Sequence, residues 1–273
     1  MPTKVVLGLL YFLVFMTGAC IGSFYNVITI RVPLKESFVK GRSHCMECGH
    51  QLTAFDLVPF FSYVFLCGKC RYCKTKISIR YPLMELIGGL SALFSVHRLG
   101  FTLEALLVFY IISVLITLSV IDQQTMEIPD QFHIAILVAV VASFFMGPKI
   151  SFFSRLAGFF IISIPMLIIA NLTGGGFGGG DIKLMAVAGA LLGWKATLCA
   201  FMVGIFSASF YCIYILLYAL IRVVQKKVPS FKEGMTAAMK MPFAFGPYLS
   251  FGIVVAYLYS DTLISFYLGM FSL

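Results

Sequence analysis

The chain has 273 residues, 60% hydrophobic and only 11% charged, with a mean hydropathy of +1.00. That balance excludes a soluble domain and predicts an all-α polytopic membrane protein. A formal charge of +9 would suit a nucleic-acid binder, but the basic residues form no single patch interleaved with aromatics, so no nucleic-acid partner is expected.

The start, MPTKVVLGLLYFLVFMTGAC, has the look of a signal peptide, and TGAC of a lipoprotein cleavage site. Apolar character nevertheless continues through IGSFYNVITI to Arg31, which predicts a retained first transmembrane helix over 1–30 with its N-terminus outside. Asn26 lies inside this span, where it would serve as a hydrogen-bonding link between helices or as part of a site. Residues 31–80 follow as a loop with nine basic residues, Arg31, Lys35, Lys40, Arg42, Lys69, Arg71, Lys74, Lys76 and Arg80. Such an excess marks a cytoplasmic loop. Within it, HCMECGH and CGKCRYCKTKIS hold two CxxC pairs, Cys45 with Cys48 and Cys70 with Cys73, 21 residues apart. This spacing is that of a zinc ribbon, and a four-thiolate metal site would fold a loop too small to rely on a hydrophobic core. The simpler reading is reduced, metal-free thiols, disulfides being disfavoured in the cytosol. Cys67 is assigned as spare, His44 and His50 as neighbours rather than ligands, and Cys20, Cys199 and Cys212 as small apolar residues within spans. Arg80 and Glu85, in RYPLME, are either a helix-entry ion pair or part of a site.

About eight transmembrane helices are predicted, over 5–30, 82–97, 102–121, 131–147, 152–171, 181–193, 196–221 and 242–259. A last apolar stretch, 262–273, is expected to pack on the surface. Counted from an outside N-terminus, the loops 31–80, 122–130, 172–180 and 222–241 fall on the cytoplasmic side. Fifteen of the twenty Lys and Arg then lie there, five of them between Arg222 and Lys240. The domain division expected is 1–30, first helix; 31–80, zinc-ribbon-like cytoplasmic loop; 81–273, multi-helix membrane domain.

Two acids stand out. Asp122 opens IDQQTMEIPD after a long apolar run, and Asp181 follows six glycines in GGGFGGGDIKL. Charge in hydrocarbon costs about 2.5–3.5 kcal/mol on insertion scales and usually faces a cavity or a partner. Each acid also has a structural reading. Asp181 could cap a helix or pair with Lys183, and Asp122 could cap the loop before Pro129. Both lie at the same predicted membrane edge, so two carboxylates could share one proton there.

The motifs in their order are similar to those of bacterial type IV prepilin peptidases, the membrane-embedded GxGD aspartic peptidases of type IV pilus and type II secretion systems. They are GSFYNVITIR, CMEC and CRYC, ISIRYPLMEL, IDQQTMEIPD, GGGD at 178–181 with its trailing IKL, and PFAFGP at 242–247. Departures are Gln124, where many members carry an acid, and Gly174–Gly175, where many carry Lys-Glu. The resemblance implies an enzyme of the bacterial inner membrane whose active site faces the cytoplasm, with Asp122 and Asp181 as the catalytic pair. It would cleave the basic leader of prepilins or pseudopilins after glycine, usually before phenylalanine, without a metal, and then methylate the new N-terminus with S-adenosylmethionine. Gly22, Ser23, Asn26, Arg31, Arg80 and Glu85 match the motifs tied to that second activity, and Cys45, Cys48, Cys70 and Cys73 match the family's zinc tetrad. Two carboxylates close together do not both ionise easily, so one would act as base on water while the other donates to the developing oxyanion. The competing readings are an ion-coupled secondary transporter using the same acids, a non-catalytic scaffold recruiting a partner through the cysteine loop, and an intramembrane peptidase of some other substrate.

Overall fold

The computed structural model describes residues 2–39, 41–224 and 243–271. Among these the chain is helical, with no strand; two isolated bridges, His44 with Gln51 and Lys69 with Lys76, both lie in the cysteine loop. The helices are α1 (Pro2–Arg31), α2 (Phe61–Phe65), α3 (Arg80–Leu99), α4 (Leu103–Thr125), α5 (Asp130–Met146), α6 (Phe152–Ile161), α7 (Ser163–Thr173), α8 (Gly179–Leu192), α9 (Trp194–Val224) and α10 (Gly246–Phe271). A 3-10 turn, Ala54–Leu57, precedes α2. Among the described residues, five stretches are long and apolar enough to cross a membrane: Lys4–Arg31, Leu103–Thr125, Phe152–Thr173, Trp194–Tyr218 and Gly246–Gly269. Asp130–Met146 is a shorter apolar helix. The other two of the eight expected spans are helices α3 and α8. α3 carries Arg80, Glu85, His97 and Arg98, and α8 is only 14 residues long.

Two differences from the expected spans have local causes. The segment 152–171 is broken at Ile162, between α6 and α7, because Pro165 has no N–H to offer the preceding turn. The stretch 262–273 is no separate surface segment: α10 runs unbroken to Phe271, through Asp261. Apart from 222–224, the expected basic loop 222–241 lies outside the described residues, as does Pro242 of the PFAFGP motif.

The chain forms two compact units, Met1–Ser113 and Val114–Leu273. In the first, α1 packs along α3. Gly18 and Gly22, four residues apart on α1, face Gly88 on α3 so closely that a Cβ on Gly18 would lie 2.6 Å from the Gly88 carbonyl oxygen. Small residues at such spacing are what let two apolar helices meet at backbone distance.

In the second unit α8 is the central element. Leu184, Met185, Ala186, Val187, Ala188, Gly189, Leu191 and Leu192 are all buried, and α5, α6, α7, α9 and α10 pack on it. A helix apolar on every face belongs inside a bundle, and this one carries Asp181 in its first turn.

Candidate active site

Asp122 lies near the C-terminal end of α4, only 5% exposed. Its Oδ2 accepts a 2.9 Å hydrogen bond from the backbone N–H of Gly246, the first residue of α10. A helix amino end offers N–H groups with no partner inside the helix, so a carboxylate is a natural acceptor there. Gly246 is required at this approach: a Cβ on it would stand 2.6 Å from Asp122 Oδ2.

Asp181 is the third residue of α8, whose N-cap is Gly178. A Cβ on Gly178 would lie 3.1 Å from Asp181 Oδ2, so the carboxylate turns back toward the cap residue. That is the posture of an acid at the third position of a helix reaching back to the cap, the capping role weighed for it. It does not account for Oδ1, which is buried without a hydrogen-bond partner. Lys183 is not its partner: Lys183 Nζ pairs with Asp130 Oδ1 at 2.7 Å. Nor does Asp122 cap the loop before Pro129; it is helical and turned to Gly246.

Two residues at this site carried no signal strong enough to single out in the sequence. Ile128, in the turn between α4 and α5, sits against both glycine segments. Its Cβ would be 3.0 Å from a Cβ on Gly180, and its Cδ1 3.3 Å from one on Gly246. His133, one turn into α5 and 6% exposed, contacts the Gly180 carbonyl oxygen through Nε2 at 3.0 Å. The faint clue was a lone imidazole three residues after Asp130 in an apolar helix.

A second polar cluster lies on the α1–α3 seam. Ser23 Oγ donates to Glu85 Oε1 at 2.9 Å, and the N–H of Phe60 donates to Glu85 Oε2 at 2.7 Å. Arg80 Nη2 donates to Thr29 Oγ1 at 2.5 Å, and Thr29 in turn donates to the Asn26 carbonyl. Asn26 is 1% exposed and its Nδ2 has no hydrogen-bond partner. Gly22 packs against the backbone of Met84 and Glu85. Arg31 Nη1 donates to the Ser37 carbonyl at 3.0 Å. Of the two readings weighed for Arg80 and Glu85, the ion pair is not formed: Glu85 binds Ser23 and Phe60, and Arg80 binds Thr29.

The four cysteines converge. The Sγ atoms of Cys45, Cys48, Cys70 and Cys73 lie within 4.8 Å of one another, with Cys45 and Cys73 3.8 Å apart. Ligands 2.3 Å from a tetrahedral zinc would stand about 3.8 Å apart. The two halves are built alike. Cys45 N–H donates to the His50 carbonyl and Cys70 N–H to the Thr75 carbonyl, and the turn residues Gly49 and Lys74 both have left-handed φ, +68° and +62°. The thiols are unequally biased. The amides of Cys48 and Glu47 pull Cys45 down, and the Thr75 hydroxyl and amide pull Cys73 down to about 6. The His50 amide favours the Cys48 thiolate, but desolvation beside Cys45 and Cys73 pushes it up to about 11. Four crowded thiols in this state need a cation to ionise together, so the donor set suits a thiophilic metal. Cys67 lies outside the cluster. His44 and His50 are not ligands: His44 Nδ1 lies 3.2 Å from the Arg42 carbonyl oxygen, and His50 stacks near Tyr72.

Fold and site together define a helical membrane protein with acids at the ends of two apolar helices, one in a GGGD motif, and a tetracysteine loop. The sequence profile of the Bacterial Peptidase A24 N-terminal domain matches residues 16–99, and that of the Type IV leader peptidase family matches residues 109–213. The chain is 34% identical to the prepilin leader peptidase/N-methyltransferase of Bacillus subtilis (strain 168), over 94% of this chain and 98% of the relative. It is 31% identical to the protein of that name from Aeromonas hydrophila, over 96% and 95%. The Pseudomonas putida relative is 27% identical over 92% of each chain. No solved structure matches. The chain belongs to the type IV leader peptidase family.

Proposed function

We propose that this protein is a prepilin peptidase with N-methyltransferase activity, which removes the leader of prepilins or pseudopilins at Asp122 and Asp181 and methylates the new N-terminus. The observation that carries the reading is two carboxylates on different helices arranged around one residue: Gly246, which binds Asp122, and Gly180, which precedes Asp181, both lie against Ile128, and Asp181 Oδ1 is buried without a partner. Such a pair titrates as a unit and holds one shared proton. The ionised carboxylate takes a proton from water as the water attacks the carbonyl of the scissile bond. The protonated one donates to the oxyanion and then supplies the proton to the departing amine. The glycines before Asp181 leave room for an extended substrate backbone. Nine basic residues between Arg31 and Arg80 support a cytoplasmic place for that loop, and counting spans along the sequence supports the same side of the bacterial inner membrane for Asp122 and Asp181.

Gly22, Ser23, Asn26, Arg31, Arg80 and Glu85 are the residues assigned to S-adenosylmethionine. The orphan Nδ2 of Asn26 and the Glu85 carboxylate suit a ligand bearing both polar acceptors and a cation. S-adenosylmethionine supplies an electrophilic methyl group; the protein's part is to hold the freed amine neutral and in line with it. Cys45, Cys48, Cys70 and Cys73 hold zinc as a structural ion, and residues 31–80 form the loop domain it folds. Nothing observed favours the transporter reading.

The test is purified protein in liposomes with a prepilin precursor and S-adenosylmethionine. The expected product is leaderless pilin one methyl group heavier, read by intact mass. Ion flux without leader cleavage would overturn the reading.

A further inference from the structure

The first turn of α8 rests on three glycines, Gly178, Gly179 and Gly180, and Asp181 comes next. Glycine loses more backbone freedom on ordering than any other residue, so this turn needs support from outside the helix. It comes from residues 128–133. Ile128 lies against Gly180, Asp130 holds Lys183 at 2.7 Å, and His133 Nε2 lies 3.0 Å from the Gly180 carbonyl oxygen. That carbonyl only accepts, so Nε2 is the nitrogen that carries the hydrogen. Nδ1 of the same ring is buried, has no hydrogen-bond partner, and stands 3.5 Å from Asp130 Oδ1, which is long for a bond.

A buried imidazole is a costly way to fill space in an apolar helix, since an unpaired ring nitrogen is desolvated for no return. Leucine would pack the same volume without that cost. What leucine lacks is the donor to Gly180. We infer that His133 is a positioning residue for leader cleavage: its Nε2–H bond to the Gly180 carbonyl fixes the glycine turn and so aims Asp181 at Asp122. The inference rests on the peptidase reading of those two acids. His133 touches neither carboxylate, and it acts only through the backbone one residue before Asp181.

The test compares wild type, His133→Leu, His133→Gln and His133→Asn in liposomes. It measures kcat and KM for leader cleavage and the methylation rate of an already cleaved pilin. Gln places an amide nitrogen where Nε2 stands, Asn falls short of it, and Leu offers volume with no donor. Misplacement of a catalytic group by about 1 Å costs on the order of 100-fold. His133→Leu and His133→Asn should therefore lose about 10- to 100-fold in kcat, with KM within about threefold and methylation unchanged. His133→Gln should recover to within about fivefold of wild type. Cleavage by His133→Leu at the wild-type rate, or equal values for Gln and Asn, would overturn the inference. If Leu fails to fold, the Gln and Asn pair decides by itself. Wild type that does not cleave would refute the peptidase reading and this inference with it, whereas an active wild type with indifferent variants refutes the inference alone.

Discussion

Gly246→Ala displaces one carboxylate of the pair without altering its chemistry. The added Cβ would lie 2.6 Å from Asp122 Oδ2 and 3.2 Å from Asp122 Cγ, where ordinary contact begins at 3.4 Å. The carboxylate must therefore retreat by 3.4 less 2.6 Å, about 0.8 Å. Ile128 Cδ1, 3.3 Å from the same Cβ, closes one direction of relief. A shift of this size is worth about 10- to 100-fold in rate, or about 1.4–2.7 kcal/mol in the barrier. Overpacking also costs about 1–3 kcal/mol of stability, so a matched control is needed. Gly252→Ala supplies it: its Cβ would collide with the Ala200 carbonyl between α10 and α9, and Asp122 is not among its neighbours. Leader cleavage by the two variants in liposomes, normalised to folded protein, should fall for Gly246→Ala and stay near wild type for Gly252→Ala. Gly246→Ala cleaving within about twofold of wild type would refute the reasoning that the backbone of residue 246 sets the position of Asp122.

The two cysteine turns make opposite predictions at matching positions. Lys74→Gly relieves a left-handed side-chain residue and should stabilise the loop, whereas Gly49→Ala should destabilise it, each by about 1 kcal/mol, read as resistance to a metal chelator. The Asp56 side chain is 4% exposed; burial opposes its charge, but Arg71, Thr53 and Tyr72 outweigh that and hold it well below the usual carboxylate range. Its contribution is thus fully present above the unfolded value of about 3.9 and lost as pH falls toward the folded one. Asp56→Asn should lower the loop's melting midpoint at pH 7, and the difference from wild type should shrink below about pH 4. Glu85→Gln keeps the shape, removes the charge, and leaves one acceptor oxygen where Ser23 and Phe60 now use two. It should reduce methylation at least tenfold and leave leader cleavage intact, both measured on one sample by intact mass.

The helices were legible because long apolar runs leave a membrane chain few alternatives. Their interruptions were less so. Pro165 breaks one run at Ile162, and Asp261 fails to break another, because one removes a backbone donor and the other does not. The four cysteines announced their convergence by spacing alone. Asp122 and Asp181 stood out as acids in apolar surroundings, but what holds them did not. Gly246 is 124 residues from Asp122 along the chain, and no local pattern links the two. Lys183 looked like the partner of Asp181 by proximity in sequence, yet helical geometry turns it to Asp130. Gly18 and Gly22 show their four-residue spacing openly, but the helix they meet cannot be read from that spacing. Of the residues proposed for methylation, Ser23 and Glu85 bond to each other across two helices, while Arg31 Nη1 reaches the Ser37 carbonyl six residues along its own chain segment, a contact no motif announced.

The central claim is that Asp122 and Asp181 carry out proteolysis together. It is tested most directly by Asp122→Asn and Asp181→Asn, each purified, checked for folding, and given a prepilin precursor and a separately prepared leaderless pilin. The amide keeps the shape and removes the ionisation. Each single variant should lose leader cleavage and retain methylation of the leaderless pilin. Full cleavage by either variant would contradict that claim.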